Sequence, residues 1–414
     1  MSKKRVVITG MGTVNPLGNN VAQTWQTILN KQSGITNITK FDTENLSVKI
    51  AGEVKDFDYT QYFEGDMLKK AKRMDSFCHY AVAAMAEAAE QSGIETVPNK
   101  ERIGVTLGSG IGGLQVQHDN STAMAMKGPR RVSPFYIPMS IGNMAAGVVS
   151  ILYGLKGPNF SLQTACATAN HSIATGTMLI QNDMADMIVA GGSEGALLDI
   201  SIAGFGNMRA LSTRNEDPLT ASRPYDTDRD GFVLSEGAAV LILEDYEHAV
   251  KRNAPIIAEV LSCGMSGDAY DFVQPDPEGK GAFIAMREAM RLAQLNPEDL
   301  GYINTHGTST PLGDIAEAEG VAKLLGSAVD KCYVGSTKSY HGHLLGATSG
   351  VEAVITSLAI QNGIIPANIN IFNRDPKLPP ILLPQDIIEK PIKAALSNSF
   401  GFGGHNSSLI LGKV

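Results

Sequence analysis

With 414 residues and 43% apolar side chains, the chain can bury a core that needs no disulfide or metal staple. Its net charge of −8, from 34 basic and 42 acidic residues, excludes a general nucleic-acid surface. Cys78, Cys166, Cys263 and Cys332 have neither the density of a secreted scaffold nor the pairing of a zinc ribbon, so free thiols in a reducing, cytoplasmic compartment are expected. The opening MSKKRVVITGMG is too short in its apolar run for a secretory leader, and no stretch of about 18 apolar residues exists to cross a membrane.

In chain order, RVVITG, RIGVTLGSG, DMIVAGG, AAVLILE, IIAEVLS, CYVGSTKS and SSLILG predict strands. Between them DSFCHYAVAAMAEAAEQSG, HSIATGTMLIQND, GAFIAMREAMRLAQ, DIAEAEGVAKLLG and GVEAVITSLAIQNG predict helices. The alternation, with continuously apolar strands, points to an α/β fold with helices on both sheet faces. The charged stretch LEDYEHAVKRNAP forms a seam without a flexible linker, so two halves, 1–250 and 251–414, are expected to share one structure. GSGIGG does not have the GxGxxG spacing and no GxxxxGK(S/T) occurs, so no nucleotide cofactor is expected.

Two basic clusters stand out: Lys69, Lys70, Lys72 and Arg73, then Lys127, Arg130 and Arg131. Each reads as a solvated face or as a dock for an acidic partner.

In SLQTACATANHSIATG, Cys166 falls where a short strand gives way to a helix of small residues. Free N–H groups and the dipole at such a junction favour a thiolate and can hold an oxyanion. Cysteine is also among the most commonly buried residues, so the local pattern leaves nucleophile and inert core thiol both open. A thiol nucleophile needs an imidazole or equivalent partner. YINTHGTSTPLGDIAEAE puts His306 at a strand end, with Asp314 and Glu317 spaced as a capping box for the next helix. VGSTKSYHGHLLGATSG puts Lys338, His341 and His343 ahead of another helix. His79, His118, His171 and His248 read as structural. The HGH pair suggests metal ligands, but no acidic or cysteine ligand has zinc-like spacing to it and Lys338 opposes a cation.

TACATANHSI, NTHGTSTPLGD, TKSYHGHLLGATSG and SNSFGFGGHNSSLIL, in that order, resemble the signature segments of the elongating β-ketoacyl-acyl-carrier-protein (ACP) synthases, most of all the bacterial synthase II subclass. The likeness runs from RVVITGMGTVNPLG to the last strand. It implies a thiolase fold, five-layered α-β-α-β-α with two similar βαβαβαββ halves, and a homodimer. It assigns a Cys166, His306 and His343 triad, Lys338 beside the second histidine, and Phe402, whose N–H would join that of Cys166 in an oxyanion hole. Phe400 falls in the same loop and Ile111 on the acyl pocket. The implied reaction is decarboxylative condensation of acyl-ACP with malonyl-ACP, without an organic cofactor. Asn304, Glu352, Ser397 and Asn398 match a structural monovalent cation site (Na+ or K+) of some members. An acidic carrier makes Lys69, Lys70, Arg73, Lys127, Arg130 and Arg131 candidates for steering it.

Three departures from the family pattern occur: His341 replaces the threonine of TGH, His405 replaces the hydroxyl residue after GFGG, and Asp271 opens DFVQPDP where a histidine is usual. Both extra imidazoles are expected to be accommodated structurally, and to sharpen pH dependence near neutrality. A thiolase would carry a C-terminal cysteine, and a type III synthase an asparagine for the second histidine. A polyketide ketosynthase is the nearest alternative enzyme, and a chain-length-factor-like partner, which lacks the nucleophile, the nearest non-enzyme.

Overall fold

The computed structural model describes residues 3–414. The first strand, β1 (Val6–Val14), is buried at every position, as expected of a strand covered on both faces. Helix α1 (Ser76–Ser92), strand β2 (Ile103–Gly108), helix α2 (Met144–Tyr153) and strand β3 (Asn159–Phe160) follow. Helix α3 (Thr168–Gln181) and strands β4 (Met187–Glu194) and β5 (Gly237–Asp245) complete the first half. The second half repeats the plan with β6 (Ala258–Gly267), α4 (Lys280–Ala293), β7 (Leu300–Asn304), α5 (Gly313–Leu325), β8 (Tyr333–Gly335), α6 (Thr348–Asn362), β9 (Ala394–Gly401) and β10 (His405–Gly412).

The strands order as β8-β7-β9-β10-β6-β1-β5-β4-β2-β3. Counted from its own first strand, each half therefore reads third, second, fourth, fifth, first. The third–second and second–fourth pairs are parallel in both halves and the remaining pairs antiparallel. The two five-stranded groups join only where Val7 and Ile8 meet Glu259 and Ala258. Helices α3 and α6 pack against each other between the groups, while α1 with α2, and α4 with α5, cover the outer faces. The result is five layers, helix-sheet-helix-sheet-helix, as the resemblance implied. Helix α6 is buried at every position from Thr348 to Ile360, as a helix enclosed on all sides must be.

The outer helices sit close enough to the first strand of each half to require glycine there. A Cβ on Gly12 would stand 1.9 Å from the Ala84 carbonyl oxygen of α1, and one on Gly264 2.0 Å from that of Ala285 on α4. One expectation fails. Asp314 and Glu317 form no capping box, because α5 starts at Gly313 and its N-cap, Leu312, has no side-chain bond. Their carboxylates turn outward to loops instead: Asp314 accepts from the N–H groups of Tyr225 and Ser309, and Glu317 from those of His306 and Gly307.

Gly12→Ala should destabilise the protein by at least about 1–3 kcal/mol, the usual cost of overpacking, read as a lower urea midpoint at unchanged slope. An unchanged midpoint would contradict the backbone contact.

Candidate active site

The segment before α3 makes a tight turn, Ala165–Ala167, in which Ala165 takes φ +49°, a left-handed conformation costly for a residue with a Cβ. Thr168 clasps it: its Oγ1 donates to the Ala165 carbonyl (2.7 Å) and accepts the Thr164 N–H (2.9 Å). Cys166 is thereby fixed at the helix start, with its carbonyl held by Ser399 Oγ at 2.7 Å. A Cβ on Gly401 would come within 3.1 Å of the Cys166 nitrogen, so the end of β9, with Phe400 and the adjoining Phe402, lies directly against the turn.

His343 reaches the thiol from the turn before α6, its Nε2 3.0 Å from Cys166 Sγ. Its Nδ1 lies 2.9 Å from Thr348 Oγ1. That hydroxyl is fully buried and its proton has no other acceptor, so Thr348 donates, Nδ1 accepts, and the ring hydrogen is on Nε2, facing the sulfur. His306 follows β7, its ring centroid 5.5 Å from that of His343 and 5.8 Å from that of Phe400. Glu317 fixes this loop by accepting the N–H groups of His306 (2.8 Å) and Gly307 (2.7 Å). His306 Nδ1 is buried without a partner. The thiol and the two imidazoles present ligand-capable atoms within 4.8 Å of one another. All three could reach one metal ion, but the Lys338 ammonium, which after burial is the next cause keeping protons off both imidazoles, would also repel a cation there.

Burial sets the charges. It pushes the Cys166 thiol up to about 12, with the Lys338 ammonium and the N–H groups of Cys166 and Phe402 acting the other way. The thiolate expected from the helix start is therefore outweighed in the resting protein, because desolvation of the sulfur exceeds the dipole effect. Burial, then Lys338, hold His306 and His343 well below the usual histidine range, so both are neutral. Lys338 is itself buried and bonded to Glu352 Oε1 at 2.6 Å.

The cluster opens into an apolar cavity of about 630 Å³ lined by Ile111, Phe205, Phe232, Leu345, Phe400 and Phe402, among others. A more polar cavity of about 720 Å³, lined by Lys40, Lys72, Arg73 and Asp75, carries none of the cluster. Among the cation candidates, Asn304 and Ser397 pair across β7 and β9, and Ser397 Oγ and Glu352 Oε2 are buried without partners. The Asn398 side chain is committed elsewhere, to Glu317 and Ser408. Lys69, Lys70, Arg73, Lys127, Arg130 and Arg131 are all exposed, and Arg73 stacks on Phe135 at 4.3 Å, which joins the two basic clusters into one region.

The departures fall in two places. His341 is fully buried; the Gly342 carbonyl, 2.8 Å from Nδ1, can only accept, so Nε2 (3.1 Å) takes the Thr337 hydroxyl. His341 is pushed down to about 3 by burial and then Lys338, so it stays neutral in the fold and adds to the site's own chemistry no titration near neutrality, contrary to what its sequence position suggested. His405, the first residue of β10, and Asp271, in the segment after β6, are exposed beside residues that line the cavity; Asp271 caps its own turn by accepting from Val273 and Gln274.

Residues 3–249 match the N-terminal domain of β-ketoacyl synthases and residues 257–372 their C-terminal domain. The chain belongs to the β-ketoacyl synthase family, in its synthase II branch. It is 48% identical to the 3-oxoacyl-ACP synthase 2 of Vibrio harveyi and 49% identical to that of Vibrio cholerae, over the full length of each chain. A solved β-ketoacyl synthase from Burkholderia phymatum superposes with a TM-score of 0.91 at 31% identity, covering 99% of this chain and 100% of that one. A type II polyketide ketosynthase solved with its acyl-carrier protein gives 0.91 at 28%, over the whole of both chains. The architecture is thus that of the thiolase superfamily, and the chain is a condensing enzyme. Among the described residues, no helix is long and apolar enough to cross a membrane.

A buried neutral imidazole binds its proton more weakly than the same group in the unfolded chain. Between about 6.5 and its folded-state value, stability therefore falls as pH falls, by up to about 1.4 kcal/mol per unit. His341→Thr removes one such group, so its melting temperature should drop less than the parent's between about pH 7 and about pH 5. An equal or larger drop would mean that His341 is charged in the fold.

Proposed function

We propose that the chain elongates acyl chains as a β-ketoacyl-ACP synthase, with Cys166 as nucleophile and His306 and His343 as the donors that stabilise the decarboxylated malonyl unit. The observation that carries this reading is the 3.0 Å contact between Cys166 Sγ and His343 Nε2 at the floor of an apolar cavity. Cys166 attacks the thioester of acyl-ACP, the N–H groups of Cys166 and Phe402 take the developing oxyanion, and the thiol proton leaves with the departing carrier. The acyl chain extends past Ile111 into the cavity.

Malonyl-ACP then binds in the same mouth. Neutral imidazoles suit the next step, because a ring N–H can donate to the malonyl thioester oxygen without losing its proton. Loss of CO2 leaves an enolate that those donors stabilise; its carbon attacks the acyl-Cys166 carbonyl, the C–S bond breaks, and the released thiolate regains a proton from solvent, which restores the resting thiol. The product is a β-ketoacyl-ACP two carbons longer. Lys338, fixed by Glu352, biases the site toward negative charge and takes no proton.

A monovalent cation fits beside this pair as a structural element: Glu352 Oε2 and Ser397 Oγ are both free to ligate it, next to Asn304. The exposed edge strand β3, next to α2 with its exposed Ile151, supports a homodimer through that edge. The basic region around Arg73 and Arg130 suits docking of an acidic carrier. Identities of 45–49% to synthase 2 enzymes, against 22–31% to the solved polyketide and other ketosynthases, favour fatty acid elongation.

Cys166→Ala should abolish both acyl transfer and product formation from labelled malonyl-ACP, read by gel shift of the carrier. His306→Ala should still acylate Cys166 while decarboxylation falls by about 10²–10³, the scale of one lost oxyanion donor. Full condensation by the cysteine variant would sink the assignment. Lys69→Glu combined with Arg130→Glu should raise KM for both carriers at little change in kcat, and the defect should shrink as salt rises. A salt-independent defect, or none, would move the dock elsewhere.

A further inference from the structure

The turn that presents Cys166 occurs twice. Leu345 takes φ +48°, as Ala165 takes +49°, and the three-residue turn Leu345–Ala347 runs into Thr348 as Ala165–Ala167 runs into Thr168. Gly346 thus occupies in the second half the place of Cys166 in the first. Its N–H faces a carboxylate instead of a substrate: it donates to Glu194 Oε2 at 3.0 Å.

Glu194, the last residue of β4, is fully buried. Its carboxylate also accepts the N–H groups of Gly110 (2.9 Å) and Ile111 (3.3 Å) and the hydroxyl of Ser109 (3.1 Å). Four donors from two distant segments converge on it and favour the carboxylate, against burial, which pushes the group up to about 7. The two segments flank the reacting thiol. Ile111 and Leu345 both line its cavity, and Leu345 lies two residues beyond His343. They also touch: a Cβ on Gly346 would stand 2.3 Å from the Gly110 nitrogen, and one on Gly110 2.7 Å from Glu194 Oε2.

We propose that Glu194 is a positioning residue that locks the Gly110–Ile111 wall of the acyl cavity and the His343 turn into one register, so that acceptance of long acyl chains and decarboxylation of malonyl-ACP depend on the same carboxylate. It touches no reacting atom and positions Ile111 and His343, while its charge, after burial, also raises the Cys166 thiol. The proposal rests on the roles given to those residues above.

Glu194→Gln tests it, because the amide nitrogen must face one pair of donors and leave them without an acceptor. Two quantities are measured per titrated Cys166 thiol: the ratio of long-chain to short-chain acyl transfer, and the decarboxylation rate of malonyl-ACP. Neither is moved by a smaller folded fraction. Both should fall about tenfold or more, the scale of a lost hydrogen bond to a charged group. Gly110→Ala drives the same segments apart and should reproduce the pattern; it decides the matter if the glutamine variant does not fold. An unchanged ratio, or a fall in only one quantity, overturns the coupling. A parent protein that performs neither reaction would instead overturn the reading of the site itself.

Discussion

The close approach of α3 and α6 between the two sheets is the constraint on which the site depends. Cys166 and His343 lie 177 residues apart and on different halves of the fold, yet their atoms meet at 3.0 Å. Small residues permit this: a Cβ on Gly350 would come within 3.3 Å of Ala169, and Ala167, Ala169 and Ala347 are all fully buried. Polar bonds then fix the register, with the Asn170 N–H donating to Ser349 Oγ at 3.0 Å and the Asn170 side chain to the Ser397 carbonyl at 3.2 Å. Reacting groups carried on the ends of two enclosed helices hold their geometry better than groups on free loops would. The left-handed Ala165 is the local cost of that placement.

Dryness is the second consequence of the same packing. Burial raises the Cys166 thiol and depresses His306 and His343, so the resting site holds neutral groups around one ion pair, Lys338 with Glu352. A buried pair of this kind contributes little net stability, since desolvation offsets attraction. Its effect is on the neighbours: the ammonium lowers the thiol and keeps protons off both imidazoles. Neutral imidazoles, that of His343 with its tautomer fixed by Thr348, can donate hydrogen bonds to a forming enolate, which a pair of imidazolium ions packed this closely could not do without strong mutual repulsion.

The apolar, β-branched strands and the long buried helices were legible in the sequence because burial on both faces leaves a continuous hydrophobic run. Strand β9 was not among the expected strands, because AALSNSFG breaks its apolar run at Ser397, Asn398 and Ser399; all three are fully buried, Asn398 bonded to Ser408 and Glu317 and Ser399 to the Cys166 carbonyl. The exposed helix Leu114–Lys127 was missed for the opposite reason, having no buried residue to impose a period. At the site, local pattern brought Cys166 only to ambiguity, and the family signatures supplied its partners. Glu194 gave no signal at all, and Glu317 only the misleading one of a cap. Each works by accepting backbone N–H groups from other segments, and a backbone donor leaves no trace in a sequence. The capping-box reading of Asp314 and Glu317 failed because the spacing was right but the helix began one residue before Asp314.

The departures from the family pattern divide by depth, and depth decides what each can change. His341 lies beside the catalytic histidine, but both its nitrogens are spoken for and it carries no charge, so it replaces a hydroxyl without altering the field. It also ties the catalytic turn to Asn304, whose amide donates to the same Thr337 hydroxyl at 3.3 Å. Asp271 and His405 stand instead on adjoining rim segments, joined where the Gly403 N–H meets the Phe272 carbonyl at 2.8 Å and where Asn406 binds Asp268 at 2.6 Å. Changes there alter what passes the mouth, while the cluster at the floor keeps every atom the condensation uses. The innermost contacts are held from several directions at once, so variation is confined to groups that can be neutral and bonded inside or solvated outside.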